Sequence, residues 1–281
     1  MAIITNEGLY PFIKFDYRDL SKHKGIIEQI ESKSIDGIVI ENVLDREFCK
    51  SIVNRFHTAI QEEPAKNYYY PAPFGKVFGT TLMESDLNAY FSKAKVAVDT
   101  FEYMFEHKFK ALVYNTLAKL GLQSNVFPTV HAPNQIFSLA GIRILDPGRD
   151  SLEAHIHQEF PLHFPSYQAV AAQLDLTTEL SYYMVLQKPE VGGELVLYDL
   201  TWENTPEDML STNVFMSGIR AERLSQYDQM KLDLEAGDMI LFAANRIWHK
   251  VAAVTGGSKS RITIGGFLAK SKNKTDYGIF I

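Results

Sequence analysis

Gly141-Ile142-Arg143-Ile144-Leu145, then Asp146-Pro147-Gly148, then Glu153-Ala154-His155-Ile156-His157-Gln158-Glu159-Phe160 is the stretch on which the reading of this chain turns. Two short runs separated by a Pro-Gly turn have the look of strands rather than of a helix. From about Gln135 onward the same character continues in runs 180–186, 194–200, 239–242, 250–254 and 262–268, with Gly-Gly and Gly-Asp turns between them. Several short strands at this spacing predict a β-sandwich or barrel of the jelly-roll kind.

The preceding residues read differently. Gly37-Ile38-Val39-Ile40 is a short strand, after which Asp45 is placed to N-cap an amphipathic stretch running to about Gln61. Its apolar positions Phe48, Ile52, Val53 and Phe56 recur at helical spacing. Residues 87–120 are again helical in pattern, with Phe101, Met104, Phe105, Phe109, Leu112 and Val113 on a broad apolar face. No repeat, low-complexity tract or Pro/Gly/Ser-rich linker divides the chain. The expectation is one α+β domain over 1–281: a mainly helical portion 1–135, a β core 136–270 and a C-terminal tail 271–281.

The 281 residues are 46% apolar or aromatic, enough for a sizeable core. Charged residues make up 22% and the net charge is −6, so no broad basic surface is available for a phosphate backbone or an anionic membrane. Neither nucleic acid nor a membrane is an expected partner. Cys49 is the sole cysteine, which excludes an intramolecular disulfide and a cysteine-built metal cage, and fits a reducing cytoplasm. With no basic neighbours to activate it, Cys49 reads as a small buried hydrophobe. Residues 1–10 lack a basic segment followed by a long apolar run, and no later apolar stretch approaches ~18–20 residues, so export and membrane spanning are not expected.

Within 153–160 the alternation puts His155, His157 and Glu159 on one side of a strand. An isolated strand histidine is usually solvent-facing or hydrogen-bonded in a core. Three such groups buried together without a cation would be costly, and they point to a metal site. A facial iron site needs two imidazoles and normally one carboxylate, with the remaining positions open. His249, after Gly237-Asp238-Met239-Ile240-Leu241-Phe242 and the turn-like 243–246, is the natural distant partner. Twelve positions further, Arg261 stands on a strand where a guanidinium pointing inward needs an anion such as a carboxylate, and Thr263 shares its face.

In this order, with Gly192-Gly193-Glu194-Leu195 between, the motifs resemble the iron(II)/2-oxoglutarate-dependent oxygenases of double-stranded β-helix (jelly-roll, cupin-like) fold. They are most similar to the cyanobacterial hapalindole- and welwitindolinone-type alkaloid halogenases and their hydroxylase relatives. The similarity runs from about residue 35 to 269, through Ile142-Arg143, Leu180-Ser181-Tyr182-Tyr183 and Thr263-Ile264-Gly265-Gly266-Phe267. The resemblance implies metal histidines at His155 and His249, Arg261 on the distal carboxylate of 2-oxoglutarate, and Tyr182 or Tyr183 at the co-substrate site. Alternation allows only one of these tyrosines to point inward. Arg143 is a candidate substrate-pocket residue, with Tyr70, Phe74 and Phe78 of the aromatic stretch 68–79 as an apolar wall.

In those halogenases a glycine stands where the carboxylate usually lies, leaving a position for chloride. Here that residue is His157. Two registers follow: His155, His157 and His249 as three ligands, with Glu159 orienting an imidazole, or His157 and Glu159 as an ordinary His-x-Glu pair. The favoured expectation is the three-histidine arrangement, binding Fe(II) with 2-oxoglutarate and O2 as co-substrates. Hydroxylation of an unactivated C–H bond of a small molecule, with release of succinate and CO2, is then expected. A halogenase or desaturase of the same superfamily is one alternative. Another is a non-catalytic or 2-oxoglutarate-independent cupin-type metal-binding protein. Substrate identity and oligomeric state are not legible.

Overall fold

A computed structural model describes residues 3–4, 9–62, 70–72, 75–122, 125–148, 154–158, 162–211, 217–219, 221–272 and 276–281. Two sheets carry the architecture. In the larger, of eleven strands, the order is Ile3–Ile4, Phe12–Asp16, Gly37–Glu41, Met239–Phe242, Leu174–Gln187, Arg261–Ser271, Gly141–Leu145, Gly75–Phe78, Tyr70–Ala72. Tyr277–Phe280 also pairs with Arg261–Ser271, and Val126–Pro128 with Tyr277–Phe280. The smaller sheet runs Leu210–Ser211, Ser217–Ile219, His155–Ile156, Ile247–Val251, Leu195–Thr201, Gln229–Leu232. This is the expected α+β jelly roll.

Period-2 alternation sorts the large sheet's side chains between two cores. Ile38, Ile40, Ile142, Ile144, Leu180, Tyr182, Met184, Leu241, Ile262 and Ile264 pack into the principal core with Ile52, Phe56, Phe101, Phe109 and Leu117 of the helices. Val39, Val185, Ile240 and Phe242 turn the other way and meet Leu195, Leu197 and Ile247 of the small sheet. The small sheet's outer face buries Ile156, Val196, Tyr198, Leu200 and Trp248. The space between the sheets is therefore apolar at one end and left to polar residues at the other.

The helix Arg46–Glu62 starts where Asp45 Oδ1 accepts from the Phe48 N–H at 2.8 Å, the expected cap. Cys49 is buried in this helix, and burial pushes its thiol up to about 12, an inert group. The helical pattern over 87–120 is two helices, Leu87–Met104 and Phe109–Leu120. Glu106 and His107 between them have φ of 53° and 60°, a left-handed turn that no helix continues through.

Four strand expectations are revised. The first 135 residues hold more strand than the expected one at Gly37–Glu41: Phe12–Asp16 and Gly75–Phe78 also join the large sheet. The tail contributes Tyr277–Phe280, whose four residues are all buried against Arg261–Ser271. Only His155–Ile156 of the run 153–160 is strand among the described residues, because the His157 N–H leaves the ladder to donate to Ala244 O at 3.1 Å. The run expected at 250–254 begins earlier, as Ile247–Val251, since pairing with Leu195–Thr201 starts at Ile247.

Candidate metal and co-substrate site

At the polar end of the inter-sheet space lies a cavity of about 70 Å³, partly open to solvent. His155 and His249 are direct partners across adjacent antiparallel strands, which accounts for ring centroids only 4.4 Å apart despite the long sequence separation. His157 follows two residues after His155, on the same side, with its ring 5.4 Å from His155 and 5.2 Å from His249. One nitrogen from each of the three can be chosen so that all lie within 4.8 Å of one another, a spacing suited to holding one ion.

The rings are aimed by their second nitrogens. His249 Nδ1 lies 2.8 Å from Ile247 O, and His157 Nδ1 lies 2.6 Å from Glu179 Oε1. A ring held at Nδ1 presents Nε2 outward, the arrangement found behind metal-bound imidazoles. Burial holds both His157 and His249 down at about 3, reinforced by nearby Arg143 for the former and first by His157 for the latter. Both are thus neutral at physiological pH, the form a metal requires. The turn 243–246 fastens the segment: Ala244 O receives the His157 N–H, Asn245 O receives Gln158 Nε2, and the buried Arg246 pairs with Asp36.

Across the cavity the strands Leu174–Gln187, Arg261–Ser271 and Gly141–Leu145 present Ser181, Tyr183, Arg261, Thr263 and Arg143. Arg261 is 6% exposed, donates from Nη1 to Thr263 Oγ1 at 3.3 Å, and lies 5.1 Å from the Tyr183 ring centroid. Among the described residues it has no carboxylate within ion-pair distance. Burial works against its charge, leaving it to find an anion. The Tyr183 hydroxyl is buried, makes no well-formed hydrogen bond among the described residues and interacts with the Arg261 guanidinium, so the two groups together face the ligand space. Gly193, at φ 81°, keeps this corner open, since a Cβ there would come within 3.0 Å of Arg261 Cδ.

The structure settles which tyrosine faces in. Tyr182 points into the principal core, its hydroxyl on Leu139 O at 2.5 Å, and Tyr183 takes the cavity side. Arg143 is the exposed side chain of an otherwise buried strand and lines the cavity beside the histidines. Phe78 is not at the cavity: it is 2% exposed in the principal core, edge-on to Phe56 and Phe101. Period 2 explains it, because Phe78 pairs with core-facing Ile142 while Val77 pairs with Arg143. Phe74 and Glu159 lie outside the described residues, as does the side chain of Tyr70. Glu179 was not singled out from the sequence. Its signal was there: an acid directly before the strand-like run 180–186, two and four residues before Ser181 and Tyr183 and so on their face if the strand extends one residue back.

A family model described as carrier-protein-independent halogenase WelO5 matches residues 9–279. The chain belongs to that family. Solved structures of the same fold include an N-substituted L-amino acid dioxygenase from Burkholderia ambifaria AMMD, 15% identical over 91% of this chain and 90% of that one, with a TM-score of 0.55. The same dioxygenase in complex with alpha-KG gives 14% identity, the same coverage and 0.52. At this identity the likeness establishes the fold. No curated protein sequence matches the chain significantly. Among the described residues, no helix is long and apolar enough to cross a membrane.

Proposed function

We propose that this member of the WelO5 family is an iron(II)- and 2-oxoglutarate-dependent oxygenase that hydroxylates an unactivated C–H bond of a small molecule in the cytoplasm, with release of succinate and CO2. The observation that carries the reading is one cavity with three mutually close histidines on the side of the small sheet and a buried Arg261, with no carboxylate partner among the described residues, on the large one. His155, His157 and His249 hold the metal. Arg261, with Thr263 and Tyr183 beside it, binds the distal carboxylate of 2-oxoglutarate through charge-assisted hydrogen bonds. Arg143 and the solvent-open side of the cavity receive the substrate. Bound iron and O2 supply the oxidising power; the chain's residues fix the ligand geometry, exclude water and place the substrate.

The family description favours a second reading, chlorination. Against it stands the His157 imidazole, which fills the position that the resemblance leaves open for halide. The test is anaerobic addition of Fe(II) and 2-oxoglutarate, which should give the weak visible charge-transfer band of a chelated keto acid. Turnover with substrate and excess chloride should follow, with product gaining oxygen. Absence of the band sinks the co-substrate assignment, and a chlorinated main product sinks hydroxylation.

A further inference from the structure

The pairing of His157 with Glu179 reaches past the ligand set. Glu179 is 2% exposed and sits in Leu174–Gln187, a strand of the large sheet, whereas His155 and His249 lie on strands of the small one and His157 directly follows its strand His155–Ile156. Its carboxylate crosses between the sheets to His157 Nδ1 at 2.6 Å, and Ser181 Oγ stands 3.4 Å from the same nitrogen. Among the described residues His157 is the one ion-pairing partner within 4 Å.

The backbone is shaped for this contact. Pairing of Leu174–Gln187 with Arg261–Ser271 loses register between Asp175 and Leu180, so Glu179 is displayed from a bulge. Bulges beside sites re-aim a side chain. This one is tied down on three sides: Thr177 Oγ1 donates to Asp175 Oδ1 at 2.7 Å, the Lys270 N–H to Thr178 Oγ1 at 2.8 Å, and Asn245 Nδ2 to Thr177 O at 2.5 Å. Asn245 belongs to the turn that also holds Gln158, so one clasp sets both partners of the His157–Glu179 pair.

We propose that Glu179 is the positioning residue for His157 and supplies, one residue removed from the metal, the negative charge that three neutral imidazoles lack. The proposal rests on the iron reading above. A divalent ion held by two imidazoles and a carboxylate carries a net charge of one, whereas three imidazoles leave it at two. A carboxylate behind Nδ1 restores the lower charge without taking a coordination position, and it fixes the tautomer that presents Nε2. His157 thereby occupies the third ligand position while a buried acid behind it does the electrostatic work of a carboxylate ligand. A buried carboxylate is costly unless paired, and the metal-bound imidazole is the donor that repays it.

The test uses anaerobic titration with Co(II) and Fe(II) of the full chain, Glu179→Gln, Glu179→Leu, His157→Ala and the double variant His157→Ala/Glu179→Leu. Loss of an orienting partner of this kind costs roughly 10–100-fold in metal affinity. Glu179→Leu should fall at the upper end and Glu179→Gln at the lower, because the amide oxygen still accepts from Nδ1–H. With 2-oxoglutarate bound, the charge-transfer band of Glu179→Leu should move to higher energy, since the metal has lost electron density. The double variant should bind metal no more weakly than His157→Ala, because Glu179 acts through that ring. Unchanged affinity and band energy in both Glu179 variants would overturn the proposal, as would fully additive losses in the double variant. If Glu179→Leu does not fold, the near-isosteric Glu179→Gln decides on the same two readouts. A wild-type chain that binds neither metal defeats the iron reading itself, a result distinct from wild-type binding that is indifferent to Glu179.

Discussion

Replacing Arg261 with methionine removes a charge while keeping most of the apolar stem, and the structure gives opposite signs for its two consequences. Without ligand, Arg261 is buried, touches Thr263 and the Tyr183 face, and has no carboxylate partner among the described residues. Losing the stacking on Tyr183 at this desolvated site costs about 2 kcal/mol. Removing a buried cation without an anion recovers solvation energy of similar or larger size. The ligand-free variant should melt within about 2 °C of wild type, or higher. With 2-oxoglutarate the sign reverses. Truncating one partner of a buried charge pair costs about 2–5 kcal/mol, and about 3 kcal/mol is roughly a 100-fold loss of affinity. At a concentration of ~100 times the wild-type Kd, binding stabilises wild type by about 2.7 kcal/mol and the variant by about 0.4 kcal/mol. At roughly 2 °C per kcal/mol the thermal shift falls from about 5 °C to under about 1 °C. Thermal melts with metal present, with and without 2-oxoglutarate, read both numbers, and calorimetric titration reads the affinity directly. A variant that is several kcal/mol less stable without ligand, yet keeps its shift with 2-oxoglutarate, would mean that Arg261 is a structural cation and refute the assignment.

Two further expectations concern the histidines. His249 is held at about 3 against 6.5 in the unfolded chain, so the unfolded state binds the extra proton in that interval, and the contribution is full above pH 6.5 and lost as pH falls toward 3. His157 shifts the same way, but Glu179, raised well above 4.5 by burial, takes up a proton in the folded state as pH falls and works against the His157 contribution. In metal-free protein, wild type should therefore lose about 1.4 kcal/mol more per pH unit than His249→Gln across the His249 interval, measured by urea unfolding; parallel curves would contradict the burial argument. The choice of third ligand is read by metal titration of His155→Ala and Glu159→Gln. The three-histidine site predicts that His155→Ala loses iron and Glu159→Gln keeps it, and the reverse pattern would restore the two-histidine, one-carboxylate site.

Most of the individual site residues were legible from local pattern. His155 with His157, the inward Thr263 beside Arg261, and the either-or between Tyr182 and Tyr183 all follow from period 2, which needs only the strand to exist. Turn chemistry told where strands end, and the apolar runs told which sheet face is buried. What period 2 could not supply is phase and pairing. Phe78 was placed on a pocket wall because its loop-like neighbours carry aromatics, but its register opposite Ile142 turns it into the core. Tyr277–Phe280 passed for a tail because a four-residue run becomes a strand only when Arg261–Ser271 is there to pair with it.

The sequence by itself determined the chemistry on offer: imidazoles, a strand arginine, a single inert cysteine and enough β-branched alternation to build a jelly roll. Only the tertiary structure decided that His155 stands directly opposite His249, that a bulge brings Glu179 from the other sheet onto His157, and that Arg261 is buried in the same cavity. The physical reason is that these are contacts between strands distant along the chain. Their register is set by how two sheets bury their apolar faces against each other and against the helices, a collective constraint that no local window of residues contains.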